Sequence, residues 1–146
     1  MQKISNSSLI FSSDRAHEIG KAAEHLVCAD LLLSGHGASI ASAGMAYDIV
    51  ADIAARLLRI QVKASCKSKN VNTQGRTPRN AYAFNARRRG KFGTRQLANT
   101  DCDLLALVAL DIRVIGYLPV EHASQTIYLS PPGISFVSES IATKTY

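Results

Sequence analysis

Apolar residues Ile19, Ala22, Ala23, Leu26, Val27 and Leu33 recur every three or four positions, the spacing that lines one face of an α-helix. Ser12, Ser13 and Asp14 offer N-cap side chains before this run, and Gly35 and Gly37 end it, so the pattern predicts one helix over about 14–34. Strands are expected next at 38–42 and 46–52, with a turn at Gly44. Over 57–64 the pattern changes to strict alternation, with Leu58, Ile60 and Val62 against Arg59, Gln61 and Lys63, the signature of a half-buried strand. Residues 66–80 read as a polar, basic loop, 81–86 as a strand, 87–94 as irregular because of Gly90 and Gly93, and 94–100 as a short helix. The nearly unbroken apolar run at 103–110 suits a central strand covered on both faces, with 113–119 as its edge partner. Helix, strands, basic loop, short helix and strands in that order imply an α/β (α+β) sandwich on a mixed β-sheet flanked by helices.

The 146 residues fit one domain, here 1–146, with an arm over 1–12 and a Ser/Thr-rich tail over 133–146 after Pro131-Pro132-Gly133. No stretch approaches the length of apolar chain that crosses a bilayer, and the run Leu9-Ile10-Phe11 is too short for a secretory signal. A cytoplasmic protein with no membrane contact is expected. Cys28, Cys66 and Cys102 are distant and odd in number, which suits reduced thiols rather than disulfides or a zinc cluster. His17, His25, His36 and His122 lack metal-binding spacing and receive no catalytic role.

Charge adds more than composition does. Twelve of the seventeen basic residues lie between Arg56 and Arg95, and no acid interrupts them. A one-sign block on a globular chain points to a polyanionic partner, most simply nucleic acid. Lys67, Lys69, Arg76, Arg79, Arg87, Arg88, Arg89 and Lys91 are the candidate phosphate contacts. Arg87-Arg88-Arg89-Gly90-Lys91-Phe92-Gly93 has a faint likeness to an RNA-binding sheet motif, but Thr94-Arg95-Gln96-Leu97 follows where aromatics belong. Tyr82 and Phe84 alternate with small residues and are read as core.

If Ala54-Ala55 is a two-residue turn, the flanking strands pair so that Asp48 faces Gln61 and Lys63 becomes its diagonal neighbour. That register also gathers Tyr47, Ile49, Ala51, Leu58, Ile60 and Val62 on the other face. Asp48 is then a charged oxygen ligand for Mg²⁺ and Gln61 a neutral one. Lys63 holds the attacking water or offsets charge growing on a scissile phosphate. The plain alternative is a cross-strand Asp48–Lys63 ion pair on a wet sheet face.

Glu24 in Gly20-Lys21-Ala22-Ala23-Glu24, then Tyr47-Asp48-Ile49-Val50, then Ile60-Gln61-Val62-Lys63-Ala64 together resemble the acid, Asp and (D/E)xK elements of PD-(D/E)XK nucleases. The likeness runs over about 14–120 and includes Asp101-Cys102-Asp103. Small single-domain members are the most similar: group I intron homing endonucleases of this fold and Holliday junction resolvase-like proteins. The resemblance implies a restriction-endonuclease-like core, Mg²⁺-dependent (Mn²⁺ substituting) hydrolysis of DNA, a site of Glu24, Asp48, Gln61 and Lys63, and metal contacts from Asp48, Gln61 and Glu24. No small-molecule cofactor is implied. Gln61 departs from the usual acid, as in the QxK variant of the intron-encoded members, and leaves open a weakened nuclease kept for nucleic-acid binding. An unrelated basic α/β protein is the third reading. Cutting both strands needs two sites, so a homo-oligomer, dimer or tetramer, is expected.

Overall fold

The computed structural model describes residues 13–72, 75 and 77–130; the arm, the tail and Arg76 lie outside them. Helix α1 (Ala16–Leu33) follows a single 3-10 turn at Ser13–Arg15. Its N-cap is Arg15, with no side-chain cap bond, rather than the Ser/Asp cap expected from the sequence. Gly35, at φ 85°, closes the other end, where the Gly35 and His36 N–H groups donate to Leu32 and Leu31 carbonyls.

Five strands form the main sheet in the order β1 (Gly37–Ile40), β2 (Ile49–Ile53), β3 (Arg56–Ser65), β8 (Leu104–Ala109) and β9 (Val114–Pro119). All neighbours are antiparallel except β3 and β8, which run parallel. The β2–β3 register pairs Ile49 with Ile60 and Ala51 with Leu58, as the two-residue turn requires. Ala54 and Ala55 both take left-handed φ, 52° and 60°, the backbone of a type I′ hairpin turn that alanine disfavours.

Alternation on these strands divides the core. Ile49, Ala51, Ile60, Val62, Leu104, Ala106 and Val108 pack against Ala23, Val27 and Leu31 of α1. On the opposite face, Leu105, Leu107 and Ala109 pack with Tyr82, Phe84, Leu97, Cys102 and Ile127. Tyr47, expected with Ile49, joins this second cluster instead, because regular alternation begins only at Ile49.

A second small sheet covers that face, in the order β10 (Thr126–Leu129), β5 (Arg79–Asn85), β4 (Lys69–Val71). The parallel β3–β8 crossover thus travels through strands where a helix is usual. Residues 87–96, expected to be irregular and then helical, form a hairpin of β6 (Arg87–Gly90) and β7 (Gly93–Gln96). Among the described residues α1 is therefore the one α-helix, and no helix is long and apolar enough to cross a membrane.

Candidate active site

Asp48 lies one residue before β2, with its N–H donating to the Ile60 carbonyl at 2.9 Å, which extends the β2–β3 pairing to bring Gln61 opposite it. The Gln61 amide Nε2 donates to Asp48 Oδ2 at 2.5 Å, and the Val62 N–H donates to the same oxygen at 2.8 Å. Lys63 follows on the same face of β3, away from α1, because Ile60 and Val62 are committed to the helix side. Its Nζ donates to the Arg87 carbonyl at 2.9 Å, leaving further ammonium protons.

Glu24 approaches from α1. It is buried, and Lys21 Nζ stands 2.7 Å from its Oε2. Glu24 is near enough to Asp48 for its charge to matter: burial chiefly raises the Asp48 pKa, Glu24 raises it further, and the Val62 N–H, Lys63 and Lys21 oppose the shift. Burial lowers the Lys63 pKa, with Asp48 acting against it. An anionic Asp48 and a cationic Lys63 therefore each oppose their own desolvation by attracting the other. The geometry brings Asp48, Gln61 and Lys63 together, with Glu24 beside them from another element.

The basic block is not the uninterrupted positive surface its sequence suggests. Arg95 binds the buried Asp101 through two bonds of 2.6 Å, and Arg88 adds a third at 3.3 Å. Those arginines hold the Asp101 pKa down at about 2. Arg59 grips Asp103 with Nε and Nη2 at 3.1 and 2.9 Å, and the Arg59 backbone N–H donates to the same carboxylate at 2.8 Å. Two acids just past the block in sequence thus return to it in space. Arg88, proposed from sequence as a phosphate contact, is occupied by Asp101. Lys67, Lys69, Arg79, Arg87, Arg89 and Lys91 are exposed, and no carboxylate is paired with any of them among the described residues. The register places Lys69 and Arg79 on one face of the β4–β5 pair.

Sequence reasoning missed Asp101 as an anchor for two arginines; its place as the first acid after the block was the available signal. Phe92, named above only as part of a faint motif, is 98% exposed.

A family model described as PD-(D/E)XK endonuclease matches residues 15–130, which include every strand above. Among solved structures the chain is similar to a bacterial homing endonuclease, with 18% identity, a TM-score of 0.61 and 86% of each chain covered. At that identity the likeness concerns the fold. Comparison with curated proteins gives no significant match.

Proposed function

Because the chain belongs to the PD-(D/E)XK endonuclease family, we propose that it hydrolyses DNA phosphodiester bonds at Asp48, Gln61, Lys63 and Glu24 with Mg²⁺, for which Mn²⁺ substitutes. The observation that carries this reading is the convergence of a carboxylate, an amide and an ammonium where β3 meets the start of β2.

The donor set fits a hard cation. Both hydrogen bonds to Asp48 fall on Oδ2, so Oδ1 would be the oxygen offered to a metal, and Gln61 would contribute its amide oxygen by turning Nε2 away from Asp48. Glu24 would supply a second carboxylate. Mg²⁺ usually takes most of its ligands from water and substrate phosphate rather than from protein. When bound, the cation polarises the phosphate and acidifies a water.

The protein's own residues do the rest. The Val62 N–H holds Asp48 in one orientation, so little reorganisation is needed on binding. Lys63, positioned by the Arg87 carbonyl, keeps ammonium protons for the attacking water or for charge accumulating on the phosphate oxygens. Glu24 sets the field at Asp48, and Lys21 limits the repulsion between the two acids.

Solvated Lys67, Lys69, Arg79, Arg87, Arg89 and Lys91 supply phosphate contacts that position duplex without reading sequence. The substrate class is a homing- or restriction-like duplex site or a branched junction, and a dimer or tetramer supplies the second site for cutting both strands. Three free thiols suit the reducing cytoplasm. The neutral Gln61 in place of an acid favours a second reading, a weakened nuclease fold that binds nucleic acid. Purified protein with Mg²⁺ or Mn²⁺ on plasmid, linear duplex and four-way-junction DNA separates the two: cleavage supports the first, and binding without cleavage the second.

A further inference from the structure

The β6–β7 hairpin stands outside both layers. Its strands pair only with each other, and every residue from Arg87 to Gln96 except Arg88 is exposed. A two-stranded ribbon with no packed face is marginal by itself. This one is held at its base: Asp101 takes Arg88 and Arg95, which sit opposite each other in the ladder, Gln96 Nε2 donates to the Ala123 carbonyl at 2.8 Å, and the Leu97 N–H donates to Ala86 at 3.0 Å. The face opposite to Arg88 and Arg95 carries Arg87, Arg89 and Thr94.

At the tip, Lys91 and Phe92 join the strands, and Gly93 turns the chain at φ 106°, where a side chain would be strained. Phe92 is 98% exposed, and the Lys91 ammonium lies 5.8 Å from its ring centre. An aromatic ring displayed at the end of an anchored basic ribbon matches a partner with an anionic rim and an apolar interior. Duplex DNA is that partner, with phosphates outside and base faces within. Four residues per strand give a reach of roughly 13 Å, more than the depth of either groove, about 8 Å.

We propose that Phe92 is a wedge, inserted by the hairpin between stacked base pairs while Arg89 and Lys91 contact the flanking phosphates, so that the protein kinks and locally unwinds its DNA. The proposal rests on the DNA-nuclease reading and adds to it the mode of engagement. Apolar wedges of this kind kink duplexes by unstacking one step, and pyrimidine–purine steps unstack most easily, which selects such steps beneath the hairpin. The Arg87 carbonyl at the ribbon's base holds Lys63, so the kink falls about one ribbon length, roughly 13 Å, from the candidate active site.

The test is the linking number of a relaxed plasmid, treated with a type IB topoisomerase in the presence of the full chain, Ca²⁺ replacing Mg²⁺. Wild type should lower the linking number in proportion to bound protein. Phe92→Ala should bind with the same salt dependence and leave the linking number unchanged, while Phe92→Trp retains the shift. A Phe92→Ala protein that shifts the plasmid as wild type does overturns the wedge. So does a wild type that cuts plasmid with Mg²⁺ yet leaves the linking number unaltered, and in that case the nuclease reading stands. Wild type that neither binds nor cuts DNA removes the nuclease reading itself.

Discussion

Gln61 and Asp48 face each other across the β2–β3 pair with the amide N–H on the carboxylate at 2.5 Å. An amide adjusts to either state of such a site, donating to Asp48 alone or turning its oxygen to a shared cation. Gln61→Glu removes that freedom and opposes two carboxylates, so without metal the variant should melt below wild type at neutral pH. A divalent cation should then bind more tightly and raise its melting temperature by more than it raises that of wild type. Calorimetric titration with Mg²⁺ or Mn²⁺ checks this; unchanged affinity would remove Gln61 from the ligand set.

In the proposed reaction Asp48 works as a carboxylate and Lys63 as an ammonium, so cleavage should require both charged forms at once. Burial lowers the Lys63 pKa, so the alkaline limit should lie below that of a free lysine, while competition between Mg²⁺ and protons for Asp48 sets the acid limit. Single-turnover rates from about pH 5 to about pH 10 should form a bell. Lys63→Arg keeps its charge to higher pH, so whatever activity it retains should lose the alkaline limb. A wild-type rate still climbing at the top of that range would contradict the role of Lys63.

The three consecutive arginines should separate by environment. Arg87 and Arg89 are exposed, whereas Arg88 is held by Asp101. Replacing Arg87 and Arg89 with alanine should flatten the slope of log affinity against log salt by about 2, at about 0.9 per lost phosphate contact. Specific and unrelated duplexes should weaken alike. Arg88→Ala should leave the slope in place and lower stability instead. Equal effects of all three on the slope would mean that Asp101 yields Arg88 to DNA.

Asp101 gives the fold an acid limit. Its carboxyl is held at about 2 against an ordinary value of 3.8. A depressed folded pKa adds stability that is complete above the ordinary value and fades as pH falls towards 2. Asp101→Asn should therefore cost roughly 2 kcal/mol at neutral pH, from about 1.4 kcal/mol per pKa unit, and nothing further as pH drops through that window. Urea melts at pH 7 and pH 3 measure the difference; a variant as stable as wild type at pH 7 would show that the cluster contributes no net stability.

The β2–β3 register was legible because period-two alternation and a two-residue turn leave one pairing that buries Ile49, Ala51 and Ile60 together. The turn chemistry was not, since Ala54 and Ala55 are poor residues for left-handed backbone and are held there by the strands they join. Nor was the hairpin at 87–96: Gly90 and Gly93 read as breakers, although Gly93 makes the turn that returns β7 to β6. Pairing of Asp101 with Arg88 and Arg95, and of Asp103 with Arg59, arises because the chain folds back on itself. Counting signs along the sequence places those acids outside the basic block, and only the fold brings them in.

In the proposed reaction Asp48 and Lys63 carry out phosphodiester cleavage rather than hold the sheet together. Supercoiled plasmid incubated with Mg²⁺ and wild type, Asp48→Ala or Lys63→Ala protein distinguishes these roles, with circular dichroism and filter binding on the same preparations. Wild type should give nicked and linear products, and each variant a rate at least about 100-fold lower, on the scale of losing a positioned acid–base or electrostatic group. Fold and DNA affinity should be retained in both. Cleavage by either variant at the wild-type rate would contradict the assignment.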